Sequence, residues 1–502
     1  MDRKTKGTAA GIFMLAFLAR LLPVFVFPSI HHPDEIFQTL EPAHRLIYGY
    51  GIVSWEWIYG SRSWLVSGIL AGIMKISGLL GNGPSSYLSL IGILLAALSA
   101  TTALCAFFWG NKQYGLGGGI LSGIFLAIWI DAVYFGPRTL TDAISAHLLV
   151  IGLYLLSVNP LKKNAYRFIF AGFLLVISML LRIQLTPAIL FILGWFWFST
   201  PSSKQKRPAL FLGCLVALIF YGALDAFTWD YPFESVWRNL KINLQLGASH
   251  YFGLQPWFYY FDLLFLFWKE TFLFLLLLAW LSLRDFPQIL LGAALILFPL
   301  SFIAHKEWRF LYPAVLLFIL SASLGLARLQ NLLTKQWIER GFTAAIVQGG
   351  TCLALFLVML LLSLYLVTSP SYQSLWTESA DQLRASRTVA KLKGVCGIAL
   401  EVPPLGTGGY SFMHQNVPLY WANIQSLRIN TKKAQAFNTV ISIDTLPWPV
   451  PGYRKIACFN QVCVQQRPGR CKGSLPAPQY HTPPMLKMVS QVRHRARLFN
   501  PA

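Results

Sequence analysis

The fold class that this chain predicts is an α-helical polytopic membrane protein, and three observations point to it. First, only 12% of its 502 residues are charged while 55% are hydrophobic, and the mean hydropathy is +0.54. A soluble domain carries roughly 25% charged residues. Second, apolar runs long enough to cross a bilayer recur throughout residues 1–368. Third, the net charge of +22 comes from basic residues placed mostly between those runs. Cytoplasmic Lys and Arg are expected there. No basic stripe with an RNA- or DNA-reading motif accompanies them, so the expected partner is the lipid bilayer and not nucleic acid.

The runs lie near residues 9–28, 86–109, 117–135, 140–158, 166–183, 186–199, 208–227, 260–283, 286–304, 310–328 and 344–368. The first follows Arg3, Lys4 and Lys6. It lacks a convincing small-residue cleavage site before the polar HHPDE, so it reads as a retained span and not a signal peptide. The 186–199 run is short. A further run, 63–80, contains Gly68, Gly72, Lys75 and Gly78. If it crosses the membrane, the basic loops Lys162–Lys163–Arg167 and Lys204–Lys206–Arg207 fall outside, against the positive-inside rule. If it is re-entrant or interfacial, those loops fall inside, together with Lys112, Arg284 and the stretch Arg328–Arg340. The second arrangement needs about 11 spans. It places residues 369–502, and every chemically suggestive loop, on the outer side.

Residues 1–368 therefore read as a transmembrane catalytic unit, with 29–62 as its first outer loop. Residues 369–502 read as a small extracytoplasmic mixed α/β domain. Pro, Gly and polar residues rise there, and the short stretches Gly394–Val402 and Thr439–Leu446 have the look of strands. Cys396, Cys458, Cys463 and Cys471 do not follow the paired spacing of a zinc site. In an oxidising compartment they would form one or two disulfides; otherwise they are free thiols. Cys105, Cys214 and Cys352 lie in apolar runs and read as small core residues.

Four outer clusters could carry chemistry. The first is HHPDEIFQTLEPAHRLIYGYGIVSWEW, where Asp34 and Glu35 follow Pro33 as the first span ends. Ile36, Leu40, Ala43 and Ile47 recur at helical spacing, which predicts an amphipathic helix on the membrane with Glu41 on it. A sugar hydroxyl is a poor nucleophile, so its attack on an anomeric carbon needs a carboxylate base. Asp34 fits that role; the alternative is that it merely caps the helix. The second cluster is Gly136–Asp142, with Arg138 and Asp142 at the end of a span, where charges also simply snorkel. The third, in loop 229–257, mixes aromatic residues, amides and His250. It suits carbohydrate stacking or an interfacial aromatic belt equally. The fourth, His305–Lys306–Glu307–Trp308–Arg309–Phe310, is the most specific. Four ionisable groups at a membrane boundary are expensive. Lys306 and Arg309 suit a phosphate, and His305 could donate to a leaving phosphate, against the alternative of a solvated hairpin turn. Templates such as the P-loop, the GxSxG elbow and HExxH are absent, as is a DxD metal motif. That favours a metal-independent reaction with a lipid-linked donor and no cofactor.

Taken together, HPDE, the downstream WEW and SRSW, RTLTD and HKEWRFLYP strongly resemble glycosyltransferase family 22, the dolichyl-phosphate-mannose-dependent mannosyltransferases. The motifs span residues 29 to 313 in patches. The first loop is most similar to the branch that adds an α-1,2-linked mannose to the glycosylphosphatidylinositol (GPI) core. The resemblance implies a GT-C fold with its active site at the outer face. It implies Asp34 as base in an inverting transfer from a polyprenyl-phosphate-mannose donor, with Glu35 supporting. It implies Arg138, His305, Lys306 and Arg309 on the donor phosphate. Gln38, Glu41 and Trp55, with His250 from the third loop, fall on the side of a glycan or glycolipid acceptor.

The chain has no N-x-S/T sequon, which favours a bacterial inner membrane with the site facing the periplasm; in a eukaryote the membrane would be the endoplasmic reticulum. Two other readings compete. A transporter or flippase of a polyprenyl-linked sugar would place charges near the midplane and often shows repeats; here charges cluster in loops and no repeat appears. A silent scaffold would tolerate Asn at position 34.

Overall fold

The computed structural model describes residues 2–81, 83–157, 165–199, 206–421, 433–443, 452–473 and Leu486. The predicted loop residues Lys162, Lys163 and Lys204, and residues 444–446 of the second predicted strand, lie outside them. Among the described residues, five helices are long and apolar enough to cross a membrane: Arg3–Val26, Pro84–Ile128, Arg207–Thr228, Trp308–Glu339 and Ala344–Val367. Shorter apolar helices, Thr141–Ser157, Ala165–Leu181, Ile183–Ser199 and Pro287–Phe302, add their buried faces to the same apolar core.

Three predicted runs depart from separate straight helices. The runs 86–109 and 117–135 share the stretch Pro84–Ile128, which turns back at Gly115. That residue has φ +75°, a conformation open to glycine. Beyond the turn, Ser122 Oγ donates to the Ala106 carbonyl at 2.9 Å, so the two halves pack against each other. The run 260–283 is not one straight helix but two, Tyr259–Trp268 and Thr271–Ser282, bent by 106°. The cause lies in the sequence: Lys269 and Glu270 interrupt the apolar run, and Lys269 takes φ +47°. Both charges turn to Tyr365, Lys269 Nζ over its ring and Glu270 accepting from its hydroxyl at 3.3 Å. The 63–80 run holds a 14-residue helix, Trp64–Ser77.

Small residues let the helices meet closely. A Cβ at Gly213 would lie 1.9 Å from the Ile169 carbonyl oxygen, so helices Ala165–Leu181 and Arg207–Thr228 touch through backbone, as membrane helices often do. The turns beside Lys112 and Arg284 meet Arg328 at one end. Gln113 and Tyr114 bond to Asp285, and Arg328 lies 3.5 Å from the same carboxylate. Arg309 begins the helix that carries Arg328, about 28 Å away at 1.5 Å per residue. The acidic and basic residues around Arg309 therefore occupy the opposite end.

Residues 398–466 contribute a five-stranded sheet in the order β2-β1-β3-β5-β4. Its strands are β1 (Ile398–Leu400), β2 (Leu419–Trp421), β3 (Thr439–Ile443), β4 (Arg454–Phe459) and β5 (Val462–Gln466). β1 pairs in parallel with β2 and β3, and β5 runs antiparallel to β3 and β4. Disulfides join Cys396 to Cys471, and Cys458 to Cys463 across β4 and β5. Leu383, Leu400, Ile441 and Val464 from this region share one core with Ile36, Leu40, Ala43, Leu70 and Ile91. The apolar face of segment 35–48, predicted to lie on the membrane, is thus largely covered by protein.

Candidate active site

The HPDE loop enters a six-residue π-helical turn, Glu35–Leu40, which continues as the α-helix Glu41–Tyr48. Such π turns are frequent at functional sites. Asp34 stands at its start, yet its side chain caps nothing. Its carboxylate faces the other way. Arg309 Nη1 donates to Oδ2 at 2.5 Å, and Gln38 Nε2 donates to the same oxygen. Gln38 also donates to Glu56 Oε1 at 2.9 Å. His32 sits between two acids, with Nδ1 3.2 Å from Asp34 Oδ1 and Nε2 3.4 Å from Glu307 Oε2. Glu307 in turn bonds to His305 at 2.7 Å and to Arg309. Burial works to raise the Asp34 carboxyl, but Arg309, His32 and Arg62 outweigh it and hold it well below the usual value. Glu307, against the same burial, is held at about 2 by Arg309, His305 and His32.

Asp142 and Arg182 form a buried pair behind this cluster, and Arg309 Nη1 lies 3.9 Å from Asp142. Beside them opens a polar cleft. Gln38, Ser61, Arg62, Ser63, Arg182 and Gln184 are among its walls. The Nε atoms of both Arg62 and Arg182 are buried without a hydrogen-bond partner. A buried donor left unmatched is costly, so this pair is an anion site in waiting. Among the described residues, no three His, Cys, Asp or Glu side chains gather as a metal-ligand set.

The predicted residues divide. Asp34, Gln38, His305 and Arg309 are brought together. Trp55 stands at the edge, stacked on Phe252, whose ring is 6.1 Å from His305. Glu35 turns away from Asp34: its Oε1 accepts the His31 N–H at 2.7 Å and meets Arg138 at 3.3 Å. Arg138 spends its other donors on the Ser29 carbonyl and hydroxyl at 2.6 and 2.8 Å. This pair clamps the loop from behind, so neither residue sits where the sequence reading put it. Lys306 is also a tie, donating to the carbonyls of Gln255 at 3.1 Å and Ile303 at 2.5 Å. His250 is exposed on the turn Ala248–Phe252, outside the cluster. Glu41 is fully buried and accepts the backbone N–H groups of Ile52 at 2.8 Å and Ser411 at 2.5 Å. It joins the first loop to residues 408–414 and does not face the cleft. Next to it, His44 Nε2 lies 3.0 Å from His414 Nδ1.

Sequence reasoning missed Glu56, Arg62, Arg182 and the bridging role of His32. Glu56 and Arg62 lie within the WEW and SRSW motifs and were within reach. Arg182 ends an apolar run with nothing local to distinguish it.

The architecture is that of known membrane transferases. The chain superposes on ArnT from Cupriavidus metallidurans bound to undecaprenyl phosphate with a TM-score of 0.55 at 11% identity, covering 91% of this chain and 97% of that one. The apo state of the same protein gives 0.56. The fold is therefore GT-C, that of a polytopic membrane protein. The model of the Alg9-like mannosyltransferase family matches residues 11–414, and the chain belongs to that family of glycosyltransferases. GPI mannosyltransferase 3 of Yarrowia lipolytica is 33% identical over 346 residues, 66% of this chain and 65% of that protein. GPI mannosyltransferase 3 of Drosophila melanogaster is 26% identical over 424 residues, 81% and 71% respectively. The chain thus spans about two thirds of the length of these relatives. Family membership displaces the transporter and scaffold readings.

Proposed function

We propose that this protein transfers mannose from a polyprenyl (dolichyl-type) phosphate donor to a mannose-containing glycan or glycolipid, forming an α-1,2 linkage with inversion. The observation that carries the reading is the Asp34–Arg309 pair beside a cleft with two under-satisfied arginines. In the step, the acceptor oxygen bonds to the anomeric carbon as the bond from that carbon to the phosphate oxygen breaks. The acceptor proton passes to Asp34, and the phosphate leaves with its negative charge. Arg309, Arg182 and Arg62 are the cations that would hold it.

A carboxylate held low by Arg309 is a weak base. A phosphate arriving in the cleft competes for Arg309, which frees Asp34 and raises its basicity when the donor is in place. Gln38 and Glu56 would keep its orientation. The reading includes about 11 spans, with the cluster and residues 369–502 facing the extracytoplasmic side. The meeting of the turns beside Lys112 and Arg284 with Arg328 at the end far from Arg309, and two disulfides in the region that packs on the first outer loop, support that sidedness. The membrane is the bacterial inner membrane or, in a eukaryote, the endoplasmic reticulum. The names of the relatives support a GPI-like acceptor.

The test is transfer of labelled mannose by purified full-length protein in detergent, from synthetic polyprenyl phosphate–mannose or from GDP-mannose, to a panel of mannose-ended acceptors. Product from the lipid donor alone, cleaved by an α-1,2-specific mannosidase, is expected. Equal use of the nucleotide sugar would overturn the donor assignment.

A further inference from the structure

Asp34 and Glu35 look to opposite sides of one loop, and the side behind Glu35 is not closed. A groove enclosing about 600 Å³ of open space runs between the end of the first helix, the start of helix Pro84–Ile128 and the helix Ala380–Val389. Its apolar walls include Val24, Ile36, Leu40, Leu88, Ile91 and Leu383. Leu22, Phe25, Val26 and Phe27, next to its wall in sequence, are exposed, as expected of side chains in contact with lipid tails.

Two cations, Arg138 and Arg387, stand in this wall, with Ser29, Glu35 and Thr139 as its other polar residues. Arg387 lines the groove, with its guanidinium 5.7 Å from the centre of the Phe412 ring. Among the described residues no carboxylate pairs with it, whereas its helix neighbour Arg384 is paired with Asp381. Arg138 also lines the groove, but Glu35 already neutralises it. Half-burial pulls the Arg387 guanidinium down, and no acid opposes that pull. An apolar slot beside lipid-facing side chains, with one unmatched positive charge in its wall, is complementary to a single class of molecule.

We propose that the groove binds an anionic phospholipid of the surrounding bilayer, its phosphate on Arg387 and a chain along Val24, Leu88 and Ile91. The occupant is not the reacting donor, because the loop that carries Glu35 and Ile36 separates the groove from Asp34. It is a brace: a chain there packs on Ile36 and Leu40, in the turn that positions Asp34 from behind. The binding claim is independent of the sugar-transfer reading.

The experiment is native mass spectrometry of the full chain after exchange into detergent containing phosphatidylglycerol, phosphatidylcholine or polyprenyl phosphate. Wild-type protein is expected to keep one phosphatidylglycerol in preference to phosphatidylcholine by about tenfold. Arg387→Gln should abolish that preference, Arg387→Lys should keep most of it, and Leu88→Trp should cut retention of phosphatidylglycerol by filling the slot. Thermal unfolding in lipid-free detergent checks that each variant is folded. Should Leu88→Trp fail to fold, the two Arg387 variants decide. Equal retention of both phospholipids, an Arg387→Gln protein that still discriminates, or displacement of phosphatidylglycerol by stoichiometric polyprenyl phosphate would overturn the proposal.

Discussion

Replacing Asp34 by Asn keeps the size and the hydrogen bond to Gln38 but removes the base. General-base assistance contributes about 10²- to 10⁴-fold, or ~3–5 kcal/mol of barrier, so kcat is expected to fall by that factor. The effect on folding should be smaller. Breaking a buried ion pair typically costs ~3–5 kcal/mol when a charge is stranded. Arg309 is not stranded, because Glu307 and Asp142 remain beside it. A stability loss of about 1–2 kcal/mol is the expectation. The Michaelis constant for the donor should hold or drop, since the variant removes the carboxylate that competes with the phosphate for Arg309. The pH dependence carries a sign as well. In the free enzyme Asp34 is held well below its ordinary value, and sharing Arg309 with the donor raises it. The acid limb of kcat should therefore lie at higher pH than that of kcat/KM, the two reporting donor-bound and free enzyme. Single-turnover transfer and thermal unfolding on the same preparations make the check. A kcat within about threefold of wild type, or a loss that merely follows the folded fraction, would refute the base assignment.

Three further outcomes follow from the geometry. Glu41, raised by burial from 4.5 to about 7, is protonated more readily in the folded than in the unfolded chain. Its contribution to stability is greatest below pH 4.5 and declines by ~3 kcal/mol as pH rises to 7 and beyond. Glu41→Gln should flatten that slope in unfolding midpoints measured across pH 4 to 8, and at pH 5 should cost ~1–3 kcal/mol because its NH₂ opposes a backbone donor. Arg62→Ala should raise the donor Michaelis constant about 10- to 100-fold, the worth of one charged hydrogen bond, with little change in thermal stability; an unchanged constant places the phosphate elsewhere. Gly115→Ala should lower stability by ~1–3 kcal/mol through its positive φ alone, since no atom lies within 4 Å of the added Cβ. An unshifted unfolding midpoint would mean that the turn relaxes.

What the sequence alone determined was local in origin. Hydropathy placed the helices, because burial in lipid is written residue by residue into composition. The ordered motifs named the family, and the charge density of residues 305–309 singled out that turn, because four ionisable groups in five residues at a membrane edge have few structural uses. The strands near 398 and 439 were legible from short apolar stretches among turn residues.

Side-chain direction and long-range partners were decided by the tertiary structure. Asp34 and Glu35 are neighbours of the same chemistry, and only the π turn and the approach of Arg309 from a helix and Arg138 from the loop before Thr141 send them to opposite sides. The family resemblance put Glu41 on the acceptor side, yet it accepts from Ser411, 370 positions away. Arg182 acquires meaning only when Asp142 and Arg62 fold beside it. The contacts of Lys269 and Glu270 with Tyr365, and the Cys458–Cys463 pairing across β4 and β5, likewise depend on partners that the fold brings in. Periodicity reports which face of an element is buried. It does not report what buries it, and at this site the identity of that neighbour separates a residue that can meet substrate from one that holds the loop in place.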